Sequence, residues 1–396
     1  MPAFDTMNIP AALLHSAPRF AQIRQRIHAA PELGADVPQT AALVAGLLRE
    51  WGYDVHTVGG HGLVGQLKLG SGTRTIGLRA DMDALPVRER TGLPYASRHE
   101  GRMHACGHDG HTAALLAAAE YLAASRSFNG TLNLIFQPDE EGLRGAVAMI
   151  ADGLFERFPC DGVYAFHNAP GLPLGAAIVQ SGSLGGSSDR VTVTFRGKGG
   201  HGANPDLAVD PTVALASTVM ALQTIVARNI APADAAVVSV GQIHAGSTYN
   251  IIPETATLEL SVRAARPEVR ELLARRITDL VRHQAEAFQA TADIDYEPLV
   301  PTVRNSEMET GIARKAVGSV VGEERIIQIP PGSQLGSEDF AWMLERVPGC
   351  YFALGNNLEG QPCVGCSLHN EGYDFNDKLI PIGAACWVAL VEQYLR

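Results

Sequence analysis

The sequence predicts an α/β protein with a mostly parallel central sheet, interrupted by an inserted α+β segment of ferredoxin-like order. Three observations carry this. Up to residue 185, helix-like and strand-like stretches alternate, the pattern of helices packed on a parallel sheet. From 186 to 298 the order becomes β-α-β-β-α-β, with period-two alternation in its first strand. After residue 299 the chain returns to α/β character. The expected domains are therefore 1–185 with 299–396, and 186–298 between them. A chain of 396 residues is long enough for two such cores.

Taken in order, 12–30 and 38–51 read as helices, and 62–69 and 75–80 as strands, the second ending in the acidic turn DMD. Residues 112–125 are rich in Ala and Leu with no Gly or Pro, which predicts a helix. A strand over 131–136 leads into QPDEEG, a helix follows over 143–155, and a strand over 162–166 ends at His167. In the insertion, DRVTVTFRG alternates as a strand, and 211–229 is a helix. AVVSVGQI and ATLELSVRA are strands, and 267–289 is an amphipathic helix with Pro in its first turn. TADIDYE closes the segment, followed by a helix from Glu307, a GSEDF segment and a C-terminal helix.

Bulk properties exclude several function classes. The net charge is −11 with no Lys/Arg run, which gives nucleic acid or an anionic membrane no attractive field. No stretch approaches the ~18 apolar residues of a spanning helix. MPAFDTMNIPAALLHS lacks the basic start, apolar run and cleavage site of a secretory signal. The six cysteines are scattered, so reduced thiols in a cytoplasm are expected.

The chemistry-bearing residues gather at strand ends, where open α/β sheets bind ligands. The 75–80 strand delivers Asp81 and Asp83, the 131–136 strand delivers Asp139, Glu140 and Glu141, and the 162–166 strand delivers His167. CGHDGH, residues 106–111, puts one thiol and two imidazoles at a loop-to-helix junction, and His369 lies far downstream in SLHNEGYDFND. A single loop histidine is usually just solvated. Metal-type ligands and acids at four junctions point instead to metal-assisted hydrolysis. A divalent ion, or two ions about 3.5–4 Å apart, acidifies a water and polarises a carbonyl. A carboxylate that does not bind metal then takes the water's proton. Neighbouring Glu140 and Glu141 suit this division of labour, and spacing leaves open which does which.

RADMDALPV, HACGHDGHTAALL, FQPDEEG, FHNAPGLPLG, GKGGHGANP, NIIPETATLELSVR, GSEDF and SLHNEGYDFND together resemble the ordered motifs of one metal-dependent amidohydrolase family. It holds hippurate hydrolase, N-acyl-amino-acid amidohydrolases and plant auxin-conjugate hydrolases, within the wider aminoacylase and glutamate-carboxypeptidase group. The resemblance covers essentially the whole chain. It implies that 1–185 with 299–396 is a catalytic domain and 186–298 a lid and dimerisation domain. It implies that Cys106, His108, Glu141, His167 and His369 bind two divalent ions, with Cys106 able to bridge them. Glu140 would be the general base and then the proton donor to the leaving amine. Asp83 would orient a ligand. The wider group has a histidine ligand two positions before that Asp. Asp81 stands there in this chain, and Cys106 replaces the missing ligand.

In the insertion, the resemblance makes His201 a donor to the tetrahedral oxyanion. It also makes Asn250 and Arg263 holders of a substrate carboxylate, a task suited to the planar guanidinium fork. Spacing alone would leave Arg263 an ordinary strand residue. The expected substrate is a small N-acyl amino acid, with hippurate (benzoylglycine) favoured by FHNAPGLPLG, and the expected assembly is a dimer or a dimer of dimers. Thiolate softness favours zinc, and the resemblance adds manganese, with cobalt and nickel as further candidates. Two other readings are a metallopeptidase acting on short peptides and a non-catalytic metal- or peptide-binding dimer. Retention of both glutamates argues against the latter.

Several motifs are weaker. Gly60–Gly65 matches GxGxxG, but LVGQLKLGSG reads as a strand and turn rather than a phosphate-facing helix. Cys363 and Cys366 form a CxxC without a second half and read as ordinary thiols. His28 reads as a structural residue or one that supports a ligand. His99, His104 and His111 read as non-ligands.

Overall fold

A computed structural model describes residues 7–330, 332–357 and 367–396; Cys363 and Cys366 lie outside this set. The chain divides into two compact units, Met1–Gly182 with Arg304–Ile329 and Glu338–Arg396, and Ser183–Val303 with Pro330–Ser337. The sequence reading leaves Pro330–Ser337 in the larger part. It clusters with the smaller unit, where the Gly186 N–H donates to the Gly336 carbonyl (2.9 Å).

The first unit holds an eight-stranded sheet. Its order is Asp54–Thr57, Leu63–Leu69, Gly130–Gln137, Thr75–Asp81, Gly162–Ala169, Gly349–Gly355, Ala177–Ile178 and Ile326–Ile327. The middle, from Gly130–Gln137 to Gly349–Gly355, is parallel, and antiparallel pairs flank it. Parallel strands covered on both faces bury nearly every side chain, as in Thr75–Asp81 and Gly130–Gln137. The helix His108–Ser125 lies between Ala11–His28 and Leu379–Tyr394. It is therefore buried almost all round, which its small Ala and Leu side chains permit.

Three local features depart from the sequence expectation. The helix expected over 112–125 starts at His108, after Gly107 at φ 95°, so His108 and His111 lie in its opening turns. A Cβ at Gly107 would come 2.4 Å from Asn168 Nδ2 and 2.5 Å from Tyr373 Oη, so close packing as well as backbone conformation calls for glycine there. The helix expected over 143–155 breaks into Gly145–Ala151 and Leu154–Arg157 at Gly153, φ 81°. The strand Gly349–Gly355 sits beside the Gly162 strand and was not anticipated, because a short apolar run without helical or alternating period is ambiguous.

The second unit is an antiparallel sheet in the order Ala236–Ala245, Thr255–Ala264, Ser187–Arg196, Thr291–Val300. Helices Pro211–Asn229 and Pro267–Ala287 pack on it. Buried and exposed positions alternate along Thr255–Ala264, so its apolar face meets the helices. Among the described residues, no helix is long and apolar enough to cross a membrane.

Candidate metal centre

Within the first unit, the carboxyl ends of three parallel strands and the first turn of the His108 helix converge. Ligand atoms of Cys106, His108 and His167 lie within 4.8 Å of one another, and so do those of Cys106, Glu141 and His369. The two triads share the thiol. Cys106 Sγ and His167 Nε2 are 3.3 Å apart. His167 Nδ1 faces its neighbour's carbonyl, Asn168 O, at 2.7 Å; donation there leaves the Nε2 lone pair free. His108 Nδ1 faces the Asp83 carbonyl at 2.9 Å, leaving Nε2 free in the same way.

Two buried atoms at this convergence make no hydrogen bond, His108 Nε2 and Glu141 Oε1. Buried polar atoms are seldom orphaned without cause, and these two face a thiol, a second imidazole and His369. A thiolate, three imidazoles and a carboxylate around orphaned atoms form a donor set that fits divalent ions.

Asp83 builds the turn that presents both glutamates. Its carboxylate oxygens accept from the Glu140 and Glu141 backbone N–H groups, each at 3.1 Å. Just before them, Asp139 takes a left-handed conformation at φ 55°, which directs the chain sharply back. His369 is placed by its backbone: it is left-handed at φ 64° and its N–H donates to Ala105 O at 2.8 Å. Its side chain remains half exposed, 3.4 Å from Glu141 Oε1.

The electrostatics suit ion capture. Burial lowers the His167 pKa to about 3, so it stands neutral with a lone pair to give. Burial pushes the Cys106 thiol well up, with the neighbouring glutamates adding to it, so its ionisation belongs with a bound cation. Glu140 is also raised well above the carboxylate range, by burial and then by Glu338. Glu141 is held low: burial opposes ionisation, and the neighbouring His369 and His108 imidazoles outweigh it.

His111 has both ring nitrogens occupied, Nδ1 by Asp81 Oδ1 (2.7 Å) and Nε2 by the Asn168 N–H (3.0 Å). Asp81 also meets Arg79 Nη1 at 2.6 Å. Arg79 in turn reaches Glu338 at 2.9 Å, Asp339 at 3.2 Å and Gln137 at 2.9 Å. This buried network absorbs GSEDF and was missed from sequence. Its signal was a lone arginine inside the apolar strand TIGLRAD, since a central strand position charges such a residue with finding partners.

The other expected residues fall as follows. His201 and Asn250 are neighbours in the second unit: His201 pairs with Ile251, and Asn250 O accepts from the Gly202 N–H at 2.8 Å. Both are exposed. Arg263 lies elsewhere in that unit, on the Thr255–Ala264 strand, and donates to Ser337 Oγ at 2.5 Å. Among the described residues no carboxylate pairs with it. His28 is buried against Asp109 (2.9 Å) and Glu89 (3.3 Å). Burial alone would lower its pKa, but those hydrogen bonds outweigh it and hold it at about 9. His99 is exposed, and His104 is buried. The Gly60 pattern runs through a turn into the Leu63–Leu69 strand, not into a helix.

Residues 77–393 match the model of Peptidase family M20/M25/M40. The chain is 43% identical over 391 residues to the hippurate hydrolase of Campylobacter jejuni, covering 98% of this chain and 100% of that one. It is 38% identical over 337 residues to the N-acetyl-L-cysteine deacetylase of Bacillus subtilis, covering 85% and 80%. Among solved structures it superposes on a dinuclear metal-binding peptidase of the M20 family from Bacillus subtilis. The TM-score is 0.83 at 28% identity, with 96% and 99% of the two chains covered.

Proposed function

The chain belongs to peptidase family M20/M25/M40 and is an amidohydrolase, and on that premise we propose that it cleaves N-acyl amino acids to a carboxylic acid and a free amino acid, with hippurate-like substrates preferred. The observation that carries the reading is the pair of triads sharing the buried Cys106, with the Glu140 carboxyl beside them, Oε2 3.8 Å from His108 Nε2. Cys106, His108 and His167 would hold one divalent ion, and Cys106, Glu141 and His369 a second. Bound there, the ions supply Lewis acidity to a water and to the substrate carbonyl. Zinc suits the thiolate best, with manganese, cobalt and nickel as alternatives.

Glu140 takes the proton of the attacking water and returns it to the amide nitrogen as the C–N bond breaks. Asp83 keeps Glu140 and Glu141 in place through their backbone N–H groups. His201 would donate to the developing oxyanion, and Asn250 and Arg263 would hold the amino acid's carboxylate; among the described residues no carboxylate forms an ion pair with Arg263, which supports the latter.

The test is release of glycine from benzoylglycine, measured against short peptides, with each of zinc, manganese, cobalt and nickel. N-acyl amino acids should be turned over faster than peptides of equal size. Turnover of peptides alone would favour the metallopeptidase reading, and metal binding without turnover of either would favour the binder.

The expected assembly is a homodimer in a reducing cytoplasm. Among the described residues, the strand Ala236–Ala245 ends its sheet with one edge unpaired, an invitation to a second strand. It exposes Val237 and Ile243, and the helix Pro211–Asn229 exposes Val213 and Met220. The described cysteines are free. Cell fractionation followed by sedimentation tests both points. Activity in the cytosolic fraction at twice the 42.0 kDa chain mass, or a multiple of that dimer, is expected; a monomer, or activity outside the cytosol, overturns the corresponding point.

A further inference from the structure

We infer that Arg24 is a positioning residue for the Glu141–His369 half of the metal centre, acting through the chain segment that carries His369. The inference rests on the metal-centre reading above. Arg24 lies in the helix Ala11–His28, more than 80 positions before CGHDGH, and its side chain is fully buried. Its Nη1 is 3.1 Å from Asp109 Oδ2 and 3.1 Å from Asp374 Oδ1, and its Nε is 2.5 Å from Asp377 Oδ1. The Tyr95 ring stacks 4.7 Å from the guanidinium, and the Tyr95 hydroxyl donates to Asp374 Oδ2 at 2.7 Å. Gln25 adds a bond to Asp377 at 2.8 Å.

The places of these carboxylates in the chain give the cluster its meaning. Asp109 follows His108 directly, and Asp374 stands five positions after His369. One guanidinium therefore ties together the two segments that carry these ligands. A buried ion cluster is a poor device for stability, because desolvation offsets most of its attraction. Its directional bonds do fix geometry.

His108 does not depend on this clamp: it is set in a helix turn and bonded to Asp83. His167 is likewise set by its strand and by Asn168. His369 has less support. Its side chain is 53% exposed, its backbone is left-handed, and one N–H bond to Ala105 holds it locally. Its segment is anchored by Arg24 and Tyr95, by Tyr373, whose hydroxyl donates to Asn168 Oδ1 at 2.7 Å, and by Arg90, whose backbone N–H donates to Glu371 O at 2.7 Å and whose Nε is 3.0 Å from the Glu371 carboxylate. Of these, Arg24 alone also joins the segment to the residue after His108. Loosening the clamp should therefore cost the ion that needs His369 and spare the ion that does not.

The experiment is stepwise metal titration of the metal-free full-length protein with zinc or manganese, comparing wild type, Asp374→Asn, Arg24→Lys and His369→Ala. Asp374→Asn keeps the side-chain shape at a partly exposed position, so it tests the clamp even if Arg24→Lys does not fold. One ion should bind Asp374→Asn with wild-type affinity and the second about 10–100-fold more weakly. That is the pattern of His369→Ala in milder form, and excess metal should restore turnover. Two ions bound as in wild type, or both weakened equally, would overturn the inference. Wild-type protein that binds no pair of ions would instead overturn the metal-centre reading beneath it.

Discussion

Glu140→Gln should retain its full metal content and lose about 10²–10⁴-fold in kcat, the contribution expected of a positioned general base. Glutamine has nearly the same shape, and the backbone N–H at 140 stays bonded to Asp83, so the turn should survive. What disappears is the ability to take and return a proton. The buried position makes the effect large, because little bulk water reaches a group only 6% exposed to take its place. Glu141→Gln should behave oppositely and lose metal first. Metal analysis and steady-state kinetics on the pair decide the assignment; if Glu140→Gln loses metal and Glu141→Gln keeps it, the two roles are exchanged.

Cys106→Ala should deplete both ions together. Its sulfur lies close both to the His108 and His167 imidazoles and to Glu141 and His369, so both proposed ion positions depend on it. Removing it should cost more than the ~10–100-fold in affinity typical of groups that merely orient a ligand, with activity falling in step with occupancy. His167→Ala should weaken only the ion of its own triad. Elemental analysis after dialysis separates these cases, and full occupancy by two ions in Cys106→Ala would remove the thiol from the centre. Because Cys106 is small and its neighbours stay packed, the metal-free variant should melt close to metal-free wild type. That comparison keeps loss of ligand distinct from loss of fold.

The degree to which this was readable beforehand varies with the physics. The helix Pro211–Asn229 and the alternating strands of the second unit were legible because period and Pro at the first turn are local signals. The start of the helix at His108 was not, since it depends on Gly107 fitting against Asn168 and Tyr373, residues far along the chain. The strand Gly349–Gly355 owes its state to the Gly162 strand it joins, and no local pattern announces that. In the site, the residue types and the pairing of Glu140 with Glu141 were visible. The burial of Arg79 and Arg24 among acids was not, because their partners are separated from them by up to hundreds of positions.

By itself the sequence determined the α/β class, the inserted ferredoxin-like order, and the supply of thiol, imidazole and carboxylate at strand ends. These are properties of periodicity and side-chain chemistry, which each segment carries alone. Only the tertiary structure decided that His111 spends both nitrogens on Asp81 and Asn168 while His108 keeps one free. It alone brought Cys106 into two triads and joined the segments of His108 and His369 at one buried guanidinium. Whether a nitrogen is a ligand or a strut depends on which atoms face it, and distant strands and loops supply those atoms only once they are packed.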